Sequence, residues 1–193
     1  MWTHDCSVAA SVNSALCLLT LLVGWILMRV ASRWQAWYDS LRKAPWTPPS
    51  WAFAVAWVIN YSLLAAAGVL ATYYYEQPDS DASSTTNVTV RVAYYLQFPL
   101  HLAWIGLFFV LRSPVSGLVI LLLTSGIAVS LGVFVWSVHA IPGALITPYV
   151  VWIVFATSLN IYVVLYNPST DDTPSYKRPS EVLVRTLNRR NVA

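Results

Sequence analysis

Five apolar runs of membrane-spanning length divide this 193-residue chain: roughly 8–30, 51–75, 92–111, 115–138 and 144–166. About 20 consecutive, mostly apolar residues suffice for a helix to cross the hydrocarbon core of a bilayer. In that solvent each backbone N–H and C=O must be satisfied within the protein, so the fold is restricted to helices or a closed barrel. Runs this long predict helices, and the expected fold class is all-α, a bundle of five transmembrane helices. Only 10% of the residues are charged and 58% are hydrophobic, whereas a soluble domain averages roughly 25% charged.

The first run lacks a basic segment before its apolar core, and a short basic linker precedes the second run. It therefore reads as a mature helix and not as a signal peptide. Residues 1–167 form the expected transmembrane domain. Residues 168–193 form a polar, basic tail that opens as a Pro/Ser/Thr/Asp linker and ends in E-V-L-V-R-T-L-N-R-R. That ending is either a surface helix drawn to anionic lipid or a solvated tail.

The basic residues set an orientation. Arg29, Arg33, Arg42, Lys43, Arg112 and five residues of the tail fall on one side of a five-span chain, with Arg91 alone on the other. Positive charge collects on the cytosolic side, so the tail is expected in the cytosol. The net charge of +3 does not indicate nucleic acid, because the cations flank apolar runs and form no patch. Between the second and third runs, Glu76–Thr89 is polar, is read as a mobile loop, and carries a possible glycosylation sequon at Asn87. Cys6 and Cys17 are too few and too close to the first run for a disulfide framework; they read as free structural thiols.

Several residues could carry chemistry. Pro45, Pro48 and Pro49 favour a rigid, non-helical approach to the second span, with Ser50 as a plausible N-cap. Trp46 and Trp51 suit either the pocket or the membrane interface. Trp57 lies about two turns inside that span, with Asn60 and Tyr61 on the same face. Such a polar face serves either a pocket or helix–helix hydrogen bonding. Gln97, His101, Trp104 and Phe108 form one stripe on the third span, which Pro99 would kink. His101 has no second metal-ligating side chain at the right spacing, so no metal site is expected, and hydrogen bonding to a buried partner or ligand is preferred. Tyr149, Trp152, Ala156 and Asn160 form the matching stripe on the fifth span. Ala156 under Trp152 leaves room for a flat ligand, or for a packed helix. Small residues at Ala67, Ala71, Gly126 and Ser130 suit close helix contacts, including those of a homodimer. No span contains an acidic residue, which argues against ion-coupled transport, and no phosphate loop or catalytic triad is recognisable.

Taken together, these motifs resemble the translocator protein family, also called the tryptophan-rich sensory protein or peripheral-type benzodiazepine receptor family. W-Y-D-x-L-x-K-x-x-W-x-P-P (Trp37–Pro49) is similar to the family's first linker. W-V-I-N-Y (Trp57–Tyr61), Q-x-x-x-H-x-x-W-x-x-x-F-F (Gln97–Phe109) and P-Y-x-x-W-x-x-F-A-T-x-L-N (Pro148–Asn160) are similar to its second, third and fifth helices. The resemblance implies a bundle, often dimeric, whose pocket opens toward the first linker and binds porphyrins, cholesterol or synthetic benzodiazepine-type ligands. Trp57, Trp104 and Trp152 would be its pocket tryptophans, with Tyr38, Pro48, Gln97, His101 and Ala156 around them. Tyr61, Phe108, Tyr149 and Asn160 complete the expected ligand-binding set, and Arg42 and Lys43 could meet propionates at the mouth.

Three departures stand out. His101 replaces a usual Asn, Asn60 replaces a usual Leu, and the cholesterol-type motif after Tyr162 lacks its basic residue. The last weakens a sterol role more than a porphyrin role. The leading expectation is a sensor, carrier or regulator with porphyrin or haem as ligand and no required cofactor. The alternatives are a light-dependent protoporphyrin-degrading enzyme using Trp57 and Trp152, and a scaffold with a vestigial pocket. In a eukaryote the expected membrane is the mitochondrial outer membrane or the endoplasmic reticulum and Golgi; a bacterial or viral source stays open.

Overall fold

The computed structural model describes residues 4–30, 34–75 and 84–167. Helix α1 spans His4–Val30, the short α2 Trp34–Ser40, α3 Ser50–Tyr75, α4 Ser84–Ile105, α5 Pro114–Val138 and α6 Ala140–Tyr166. Among the described residues, five helices are long and apolar enough to cross a membrane: α1, α3, α4 with its extension, α5 and α6. The outward faces suit lipid as a solvent. Leu18, Leu19, Leu22, Val133 and Leu165 each stand more than half exposed, a pattern that water would penalise and hydrocarbon does not.

The core is built from α3, α5 and α6, with α1 and α4 packed against them. Tyr61, Leu64, Ala67, Ala128, Leu131, Ile146, Tyr149 and Ile153 are almost fully buried there. Small residues set the helix spacing. A Cβ at Gly143 would come within 2.5 Å of the Trp136 ring and 2.9 Å of its Cα, so α5 and α6 approach as closely as they do only with glycine there. Ala67 and Ala71 lie in the core. Gly126 and Ser130, on α5, face outward, and nothing lies within 4 Å of where a Cβ at Gly126 would stand. Cys17 is a buried free thiol that donates to the Tyr61 carbonyl at 3.2 Å; the side chain of Cys6 lies outside the described residues.

Two boundaries differ from the sequence reading. The third helix begins at Ser84, so part of the expected Glu76–Thr89 loop is helical and Asn87 falls in its first turn; the Asn87 side chain and residues 76–83 lie outside the described residues. The fifth spanning helix begins at Ala140, because His139 alone makes the α5–α6 turn. Its backbone is extended and its Nδ1 accepts from the Ile141 N–H at 3.2 Å, capping α6. Pro142 and Gly143, which precede the expected run 144–166, lie in the first turn of α6, where proline has no intrahelical donor to lose. The C-terminal tail, 168–193, also lies outside the described residues.

At its end α4 loosens into a π-helical turn, Gly106–Val110, closed by the Leu111 N–H donating to the Gly106 carbonyl at 2.9 Å. Arg112 follows with φ of 52°, the left-handed region that costs a non-glycine residue strain. Ser113 then caps α5, and Pro114 takes its first turn. Wide turns of this kind recur beside functional sites.

Candidate functional site

The ends of α1, α3, α4 and α6 nearest the first linker enclose a cavity of about 470 Å³. Linker residues Tyr38, Lys43 and Thr47 complete its lining at that end. The walls are mostly apolar and aromatic. Trp57 from α3 and Trp152 from α6 meet edge to face, their ring centroids 6.2 Å apart and their planes at 90°. Trp57 stands seven residues inside α3, so it sits roughly 10 Å along the helix axis. Phe53 stands edge-on to Trp152 at 5.7 Å. Trp104 stacks on Phe108 at 5.7 Å, and Phe108 meets Trp37 of α2 at 5.6 Å. The linker helix is thus keyed into the aromatic wall through the π turn.

Polar groups inside the cavity are few. Asn160 holds three elements together: its Nδ2 donates to the Pro114 carbonyl at 2.8 Å, and its Oδ1 accepts from Trp104 Nε1 at 3.4 Å. His101 is 3% exposed and lies against Trp57, with ring centroids 3.7 Å apart. Its Nδ1 and the indole N–H of Trp152 are buried without a hydrogen-bond partner among the described residues.

The mouth is held by backbone as well as charge. Asn167 at the end of α6 accepts from the Arg42 N–H at 2.9 Å and donates to the Arg42 carbonyl at 3.1 Å. Lys43 places its ammonium 4.7 Å over the Tyr38 ring and 3.8 Å from an Asp39 carboxylate oxygen. Burial pushes the Tyr38 hydroxyl above its usual range, and the Asp39 carboxylate adds to the effect, so the phenol at the mouth stays neutral.

Of the residues singled out in the sequence, Tyr38, Lys43, Trp57, Tyr61, His101, Trp104, Phe108, Trp152, Ala156 and Asn160 line this one cavity. Gln97 and Tyr149 do not. Both are fully buried, and the Tyr149 hydroxyl donates to Gln97 Oε1 at 2.9 Å, tying α6 to α4. Their helical spacing is right, but they are packed against each other and form no part of the cavity lining. Pro48 and Arg42 also lie off the wall, and Arg42 contributes through its backbone. Asn60 is buried and donates to its own helix, to the Ala56 carbonyl at 2.9 Å. Ser50 begins α3 as a helical residue, and the Pro49 carbonyl closes its first turn by accepting from the Ala52 N–H at 2.9 Å.

The α1 wall, including Thr20, Gly24, Trp25 and Met28, went unread. A signal was present: Asn13, Cys17, Thr20 and Gly24 fall at i, i+4, i+7 and i+11, and all four are buried. Small and weakly polar residues repeating along an apolar helix mark its packed face. Asn167, the latch of the linker, left no comparable trace.

The TspO/MBR family profile matches residues 15–166 of the chain. The chain belongs to the TspO/MBR family. The tryptophan-rich protein TspO of Chlorobaculum tepidum is 34% identical over 159 residues, covering 80% of this chain and 95% of the relative. Protein CrtK of Rhodobacter capsulatus is 31% identical over 134 residues, 69% of this chain and 79% of the relative. The human translocator protein is 32% identical over 128 residues, 66% and 72% of the two chains. With five spanning helices, this TspO/MBR member is an integral, multi-pass membrane protein.

Proposed function

We propose that the cavity binds a tetrapyrrole of the porphyrin or haem type, with sterols as a secondary ligand class, and that the protein senses, carries or regulates such ligands. One observation carries this reading: four tryptophans from four different helices, Trp25, Trp57, Trp104 and Trp152, line a mostly apolar cavity of about 470 Å³ to which the linker contributes Tyr38, Lys43 and Thr47. Large flat π-systems gain from face and edge contacts with aromatic rings, each worth about 0.5–1.5 kcal/mol beyond burial. Because Trp57 and Trp152 are perpendicular, a flat ligand that stacks on one meets the other edge-on.

Lys43 supports recognition of a peripheral carboxylate at the mouth, where a propionate would compete with Asp39 for the ammonium. The wider arrangement follows the charge split, with linker and tail facing the cytosol. A homodimer is compatible with the outward-facing Gly126 and Ser130.

The test is a titration of the detergent-solubilised protein with free-base protoporphyrin, followed by porphyrin emission in the dark. Saturable binding is expected, weakened about two- to tenfold in the Trp57→Phe/Trp152→Phe double variant. Equal affinity in both proteins would remove the two tryptophans from the site.

A further inference from the structure

We propose that a second cavity, at the end of the bundle away from the linker, holds a phospholipid of that leaflet, with its phosphate at Arg91 and a glycerol ester at Asn13. The inference stands independently of what fills the aromatic cavity.

This second cavity has a volume of about 170 Å³, and all five spanning helices contribute to its lining. Leu131 and Ile146, from α5 and α6, are buried within it. Val8 and Val12 of α1 and Tyr95 of α4 line it too, yet they stand 46%, 40% and 37% exposed. The cavity therefore opens to the outer surface along the seam between α1 and α4. That seam is apolar and lies within two membrane spans, so bilayer lipid is what meets it.

Asn13 gives this apolar space a polar group. Its side chain is 2% exposed, and its Oδ1 is sealed in the protein without a hydrogen-bond partner among the described residues. Its Nδ2 lies beside Gly68, 2.7 Å from where a Cβ would stand, and the Tyr94 hydroxyl is 2.8 Å from the same point. Asn13, Gly68 and Tyr94 all line the cavity. Tyr94 donates its proton to the Leu64 carbonyl at 3.0 Å, while Nδ2 donates to no described residue. A carboxamide without partners is costly in hydrocarbon and calls for a specific explanation. An ester carbonyl entering from the bilayer would accept from Nδ2.

Arg91 narrows the class of lipid. It lines the same cavity and is the only Lys or Arg between Lys43 and Arg112. Arg91 stands roughly 5 Å inside its span, Val88–Val110, and Asn13 roughly 9 Å inside Ser7–Arg29. The cation thus lies nearer the membrane surface and the amide deeper. A phospholipid carries its groups in the same order, with the phosphate outside and the ester carbonyls one glycerol unit below. A guanidinium has five donors and suits a phosphate. The upper methylenes of one acyl chain would fill the space between α1 and α4.

The experiment is native mass spectrometry of the full-length protein, delipidated in detergent and titrated with dioleoyl phosphatidylglycerol or with dioleoylglycerol, which lacks the phosphate. Wild type is expected to retain one phosphatidylglycerol per protomer. Asn13→Leu removes the amide at similar volume and should weaken retention about five- to tenfold, as loss of one hydrogen bond does. Arg91→Gln, on the exposed rim, should weaken it about tenfold or more through loss of a charge-assisted contact. The same variant should leave dioleoylglycerol binding unchanged. Thermal midpoints near wild type establish that both variants are folded. Equal retention by all three proteins, or none by wild type, overturns the site. Weakening in Arg91→Gln with full retention by Asn13→Leu also overturns it, because the lipid would then sit on a surface charge and not in the cavity. Displacement by inorganic phosphate would reveal an anion site and overturn the lipid.

Discussion

The side-chain carbonyl of Asn160 accepts the indole N–H of Trp104 at 3.4 Å while its amide donates to the Pro114 carbonyl at 2.8 Å. One side chain therefore joins α6 to α4 and to the first turn of α5, and fixes a ring of the cavity wall. Asn160→Leu should leave a buried indole N–H and a helix-end carbonyl unpaired. Interhelical hydrogen bonds in membrane proteins contribute about 0.6–2 kcal/mol each. A loss of roughly 1–3 kcal/mol is expected, read as a lower thermal midpoint in detergent.

Gly143 and Gly126 make opposite predictions. Gly143→Ala drives a methyl against the Cα of Trp136, which no rotamer change can relieve. It should destabilise the α5–α6 hairpin by about 1–3 kcal/mol, as overpacking does. Gly126→Ala has open space around it and should be neutral, or stabilising by up to about 1 kcal/mol through helix propensity. Thermal unfolding of the two variants side by side checks both signs.

Asn167 grips both backbone groups of Arg42 and so holds the linker down over the cavity. Asn167→Ala should loosen this cover without touching the wall. Each of these two exposed hydrogen bonds is worth about 0.5–1 kcal/mol, so release of bound protoporphyrin should quicken roughly five- to 30-fold. Stopped-flow dissociation is the readout. An unchanged release rate would mean that the linker does not gate the cavity.

Much of this was legible in the sequence for identifiable reasons. The spans were visible because lipid-facing residues such as Leu18 and Val133 must be apolar. The aromatic stripes on α3, α4 and α6 were visible because polar residues such as His101 and Asn160 are rare in a span and stand out at helical spacing. Two kinds of information were hidden. Depth along a stripe was one: Gln97 and His101 share a face, yet only His101 reaches the cavity, because Tyr149 packs against Gln97 and bonds it. Contacts between distant segments were the other, as with Asn167 and Arg42, which are 125 residues apart and leave no local pattern. The α1 wall lay between these cases, marked by a stripe of small residues that packing alone would also produce.

Photo-crosslinking with a diazirine-bearing protoporphyrin, mapped by mass spectrometry, tests the location of the site most directly. The account predicts saturable labelling of α3 around Ser50–Tyr61 and of α6 around Trp152–Val163, competed by unlabelled protoporphyrin. Labelling confined to outward faces, such as that of Val133, or to the opposite end of the bundle around Asn13 and Tyr94, would contradict it.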